Sequence, residues 1–205
     1  MLARPFDKSG RKLSVVAISG SPSPASTTAM LADYALGQLP ARSFHVRHIR
    51  LRDIDAAALL GARPDEAGLA EAIDSIEAAD GIIVATPIYK AAYSGLLKAF
   101  LDVLPQFGLA GKTVLQLATG GSLAHVLALD YALRPVLQSM GARHIVQSTF
   151  VAAGQMQRSD AGLVLEQEAA TLLNEAILHF RHSVMLAPTA TLLGHPRPVR
   201  QHAAE

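Results

Sequence analysis

The 205-residue sequence predicts an α/β domain, a five-stranded parallel sheet with helices on both faces. Three observations predict it. Short apolar runs alternate with longer segments of helical spacing, the pattern that crossover helices impose on a parallel sheet. The runs starting at Leu13, Gly81 and Thr113 are the more apolar, as suits strands covered on both faces, while Phe44–His48 and His144–Val151 interleave polar residues and suit sheet edges. Half of the residues are apolar and 17% are charged, which provides one substantial core and points to a single domain.

The elements follow in order. Leu13 to Ser19 reads as a buried strand that ends in Gly20-Ser21-Pro22. A helix begins near Ser26, with Leu31, Tyr34, Ala35 and Leu39 on one face and Pro40 after its end. Phe44–His48 alternates as an edge strand, and Leu51–Pro64 reads as a loop with a helical turn near Ala56–Leu60. Leu69, Ile73 and Ile76 mark an amphipathic helix ending near Asp80-Gly81. The third strand opens at Gly81, and Pro87, which has no N–H for a ladder, is expected to stop it. Leu96, Leu97, Phe100, Leu101 and Leu104 then have helical spacing. Thr113–Ala118 is the fourth strand, Ala124–Met140 is helical in pattern with Pro135 interrupting it, and His144–Val151 is the fifth strand. The last helix is expected over Leu163–His182, with Leu165, Ala169, Leu172, Ala176, Ile177 and Phe180 inward. Residues 1–12 read as an N-terminal extension, 13–183 as the domain, and 184–205 as a disordered tail.

With strands two and five at the edges, the common five-stranded order is 2-1-3-4-5, the flavodoxin-like arrangement. Ligands in such sheets sit beyond the carboxyl ends of the strands, at the switch point between strands one and three. Three loops fall there. Gly20–Thr28 is rich in hydroxyls and enters a helix N-terminus, where free N–H groups and the helix dipole attract a phosphate; Ser21, Ser26, Thr27 and Thr28 are its candidate donors. Ser26 or Thr27 is also the expected helix cap. Pro87, Ile88, Tyr89 and Lys90 can lay backbone along the edge of a flat ring, and Thr119, Gly120, Gly121 and Ser122 permit close approach and positive φ. The first loop lacks the Gly-Lys-Ser/Thr ending of a nucleotide-triphosphate loop and the glycine spacing of a dinucleotide fingerprint.

The net charge of +1 makes no electrostatic claim on nucleic acid or an anionic membrane. The absence of cysteine excludes disulfides, thiolate nucleophiles and iron–sulfur ligation. His179 and His182 have no third ligand nearby in sequence, so no metal is expected. His125, at the start of a helix, reads as a structural hydrogen-bonder, and Lys98 with Asp102 as a helix-surface pair. The apolar run after Lys12 is too short for a signal peptide core or a membrane span, so the expected location is cytoplasmic.

From about Val15 to Phe150 the chain resembles the NAD(P)H-dependent FMN reductase family, and within it the SsuE-type reductase subunits of two-component alkanesulfonate monooxygenases. The most specific matches are Ala79–Lys98 and Leu117–His125, the latter leading into Asp130–Leu137. The resemblance implies that NADPH or NADH reduces FMN by direct hydride transfer, with no catalytic acid or base, and that the reduced flavin passes to a separate monooxygenase. It places phosphate contacts at Ser21, Ser26, Thr27 and Thr28, ring contacts at Pro87, Ile88, Tyr89 and Lys90, and further contacts at Thr119–Ser122. It also implies a homodimer or homotetramer, with Tyr131 in a π-bulged helix at the interface. One departure is Ser23, where many relatives carry arginine. Two other readings keep the fold: an FMN-bound reductase of quinones, azo dyes or chromate, and a flavodoxin-like electron carrier without pyridine-nucleotide activity.

Overall fold

The computed structural model describes residues 11–160 and 162–186. The expected extension over 1–12 and tail over 184–205 lie outside the described residues, except for 11–12 and 184–186.

The first three strands are β1 (Leu13–Ser19), β2 (Phe44–Arg50) and β3 (Gly81–Tyr89). They are followed by β4 (Ala92–Tyr93), β5 (Thr113–Gly120), β6 (His144–Ile145) and β7 (Thr149–Ala152). The sheet runs β2-β1-β3-β5-β6, with β7 also beside β5 and β4 folded back on β3. It therefore has seven strands, not five, although the parallel order of its main path is the flavodoxin-like one. The expected fifth strand is broken into β6 and β7 by residues 146–148, and the Ser148 hydroxyl donates to Gln116 Oε1 at 2.7 Å.

Pro87 does not end β3, which continues to Tyr89. Gly20 N–H donates to the Ala85 carbonyl, so Ala85 faces β1 and, by alternation along the strand, so does Pro87. β1 has already ended at that point, and the missing proline N–H has no strand to serve.

The helices are α1 (Thr27–Gly37), α2 (Ala56–Leu60), α3 (Ala67–Ala78), α4 (Gly95–Val103), α5 (Arg134–Ser139) and α6 (Gln167–Leu186). α1 and α6 close one face of the sheet over Val15, Ala17, Ile83, Leu115 and Leu117; α3, α4 and α5 close the other over Val16, Ile18, Ile82, Val84 and Val114. Both clusters are almost fully buried, so the central strands are fixed from two sides.

α6 starts four residues later than expected, because Gly162–Leu165 forms β9 of a hairpin with β8 (Met156–Ser159). Within α6, Leu173 is buried and Leu172 is 54% exposed, so the inward stripe is displaced by one residue at that turn. The Ala124–Met140 segment is not one helix. It comprises a 3₁₀ turn (Leu123–His125), a π-helical turn (Leu129–Leu133) and α5, which continues directly from the π-helical turn with Pro135 as its second residue.

Candidate active site at the strand ends

The site is built by hydroxyls that tie three loops together. Ser26 caps α1 by accepting from Ala29 N–H at 3.0 Å. Thr28, in the first turn, meets Thr119 at the end of β5 with an Oγ1–Oγ1 distance of 2.6 Å, both side chains buried. Ser94 caps α4 by accepting from Leu97 N–H and donates to the Gly20 carbonyl at 2.6 Å. Its own N–H donates to Thr86 Oγ1. A Cβ at Gly20 would lie 2.8 Å from both Leu97 Cβ and Ser94 Oγ, so only glycine lets β1 end this close to α4.

Between β3 and β4 the chain reverses over Lys90 and Ala91, with φ of 50° and 63°. Two successive left-handed residues in a two-residue loop make the primed type of hairpin turn, here without glycine. The turn holds Tyr89 half-exposed at the rim.

These loops open onto one cleft of about 300 Å³. From the first loop, Ser21, Ser23, Ala25, Ser26, Thr27 and Thr28 line it. Pro87, Ile88 and Tyr89 line it from the second, and Thr119, Gly120 and Gly121 from the third. Two expected residues are not in the lining. Lys90 sits at the exposed apex of the turn, and Ser122 caps the following 3₁₀ turn by accepting from Ala124 N–H at 3.2 Å. Gly120 and Gly121 do not use the positive φ open to them. At Gly120 the strand end meets the Phe150 ring, which a Cβ there would approach to 2.9 Å.

Sequence reasoning missed Ala153 and Met156, which line the cleft from the segment after β7. Their only signal was position: a strand end in an α/β sheet faces the ligand side.

No carboxylate, histidine, lysine or arginine is among the residues lining this cleft. Outside the cleft lining, the His48 side chain bridges β1, β2 and α1: Nδ1 is 2.7 Å from Asp33 Oδ1 and Nε2 is 2.9 Å from Ser19 Oγ. Burial lowers its pKa below 6.5, Asp33 opposes the shift, and Arg50 and Arg52 add to it. The imidazole is therefore neutral at pH 7, donating from Nδ1 to Asp33 and accepting from Ser19. Among the described residues no group of three or more His, Asp or Glu is arranged to hold a metal ion. No described helix is long and apolar enough to cross a membrane.

Comparison with known proteins identifies the family. The family described as NADPH-dependent FMN reductase matches residues 13–157. An FMN reductase (NADPH) of Escherichia coli K12 is 45% identical over 142 residues, 69% of this chain and 74% of that protein. A second FMN reductase (NADPH), from Pseudomonas putida, is 39% identical over 185 residues, 90% of this chain and 91% of the relative. The crystal structure of an NADH:FMN oxidoreductase, EMOB, in its apo form superposes with a TM-score of 0.83 at 60% identity, covering 91% of this chain and 98% of that one. The chain belongs to the NADPH-dependent FMN reductase family.

Proposed function

We propose that this member of the family reduces FMN with NAD(P)H in the strand-end cleft and hands the reduced flavin to a partner flavin-dependent sulfonate monooxygenase. As a family member it is an NAD(P)H:FMN oxidoreductase, with FMN and NAD(P)H as its cofactors. One observation carries the assignment of the site: the hydroxyl-rich end of α1, the Pro87–Tyr89 strand end and the Thr119–Gly121 strand end line the same cleft.

The residues present fit FMN. Ser21, Ser26, Thr27 and Thr28 offer hydroxyls and helix N–H groups to the phosphate at the positive end of the α1 dipole. Pro87, Ile88 and Tyr89 offer a flat edge to the ring, and the Gly120–Gly121 backbone lets it approach. Hydride transfer from nicotinamide is chemistry that the bound flavin supplies, and the protein needs only to hold the two rings in contact and exclude water. A cleft lined by hydroxyls, small residues and Tyr89, with no carboxylate, histidine, lysine or arginine among its lining residues, suits that task. The remainder of the reading rests on the resemblance: a sulfonate substrate for the partner, a cytoplasmic location, and a homodimer or homotetramer formed through the π-helical turn. Tyr131 in that turn is 77% exposed.

The test is NADH and NADPH oxidation by the purified protein against increasing FMN, with gel filtration to see whether flavin stays bound. Saturable FMN-dependent oxidation is expected, and its coupling to an alkanesulfonate monooxygenase should release sulfite. Oxidation that ignores added FMN while flavin co-elutes would favour the tightly bound reductase of another acceptor. No oxidation at any FMN concentration would sink the enzyme reading.

A further inference from the structure

Between Gly20 and Thr28 the first loop has no ionisable side chain, and no cationic side chain lines the cleft. A phosphate held there by neutral donors alone would leave most of its charge uncompensated. The structure nevertheless brings guanidinium groups to this loop from two other elements. Arg52, in the 3₁₀ turn Leu51–Asp53 after β2, donates from Nη1 to the Ser23 carbonyl at 2.7 Å. Arg158, on β8, donates from Nη2 to the Ala25 carbonyl. Ser23 and Ala25 both line the cleft, so each charge lies one residue behind the lining.

The two arginines are not equivalent. The Arg52 side chain is 21% exposed, whereas Arg158 is exposed and more fully screened by solvent. Asp53 stands 3.5 Å from Arg52 Nε, but its side chain is 64% exposed and offsets the charge only in part.

Resting on the reading of this cleft as an FMN site, we propose that Arg52 is a positioning and specificity residue for the anionic tail of the flavin. It holds the Ser23 peptide in place, and its charge acts across that peptide on a phosphate in the cleft, so the site prefers FMN to riboflavin. Arg158 plays a lesser part of the same kind.

The experiment titrates FMN and riboflavin by fluorescence quenching with the full-length protein and its R52K, R52Q and R158Q variants. R52Q is expected to lower the ratio of the riboflavin Kd to the FMN Kd about fivefold, R158Q about twofold, and R52K to retain the ratio. In the wild type, raising salt from about 0.05 to about 0.5 M should shrink the FMN preference, which provides a readout that needs no variant. If R52Q weakens both flavins equally, or leaves the FMN preference intact, or if salt leaves the wild-type ratio unchanged, the proposal is overturned while the flavin site stands. A wild-type protein that binds neither flavin overturns the parent reading, and this one with it.

Discussion

His48 shows how one buried side chain joins three elements and gives the fold a pH dependence. It sits on edge strand β2, reaches Ser19 at the end of β1, and holds Asp33 in the middle of α1. Arg50 reinforces the same carboxylate at 2.9 Å. The helix whose N-terminus faces the cleft is thereby fastened to the strand that leads into it. Burial, the largest influence, lowers the imidazole pKa below 6.5 in the folded chain. In the unfolded chain the ring takes up a proton near its ordinary value, so below pH 6.5 the unfolded state binds more protons. Stability should fall as the pH drops from 6.5 toward the folded value, and above 6.5 the contribution is fully present and no longer varies with pH. His48→Gln removes the titration while keeping one donor and one acceptor. Urea midpoints at about pH 7.5 and about pH 5.5 should therefore differ more in the wild type than in the variant. Parallel losses would show that other groups set the acid limb. The network was invisible in the sequence, since Ser19, Asp33 and His48 meet only once the parallel register pairs Ala17 with His48.

At the scale of elements, what the sequence revealed was set by local signals, and what it hid was set by partners distant in the chain. The starts of β1, β2, β3 and β5 were legible because their apolar content is local and bounded by turn residues. α1 was legible through its serine cap and α4 through its apolar spacing. The end of β3 was not, because whether a proline breaks a strand depends on whether a neighbour still runs beside it. The β8–β9 hairpin was hidden for a related reason: Gly162–Leu165 is apolar enough to extend a helix, and only its pairing with Met156–Ser159 makes it a strand. The Tyr89–Ala92 turn follows the same logic, with pairing on β3 and β4 forcing Lys90 and Ala91 into left-handed geometry. Each such non-glycine residue is strained by roughly 1–2 kcal/mol. Ala91→Gly relieves one of them, and after the extra chain entropy of glycine it should raise stability by roughly 0.5–1 kcal/mol, read as a higher urea midpoint at unchanged m-value. A lower midpoint would mean that the Ala91 methyl packs in a way that outweighs the strain.

For the whole molecule, the sheet acts as a rigid platform and the cleft as its least regular part, so binding should be visible in global unfolding. The platform is legible from composition and alternation. The cleft is legible in its three strand-end loops, because ligands in open α/β sheets gather there. Lys90 and Ser122 belonged to those loops yet are not among the lining residues: Lys90 is at the exposed apex of its turn, and the Ser122 hydroxyl accepts from Ala124 N–H. A ligand that binds only the folded state stabilises it by about 2.7 kcal/mol at a hundred times its Kd. For a chain of this size each kcal/mol moves Tm by about 2–4 °C, so FMN should raise Tm by roughly 5–11 °C. Thr27→Asp separates binding from folding. The first residue of α1 would then carry a negative charge at the positive end of the helix dipole, which favours the helix by about 0.3–1 kcal/mol. The same carboxylate would repel a phosphate at that helix end. The variant without flavin should melt no lower than the wild type, and its FMN-induced shift should shrink to that produced by riboflavin. If Thr27→Asp keeps the full FMN shift, the phosphate is held elsewhere than at the start of α1.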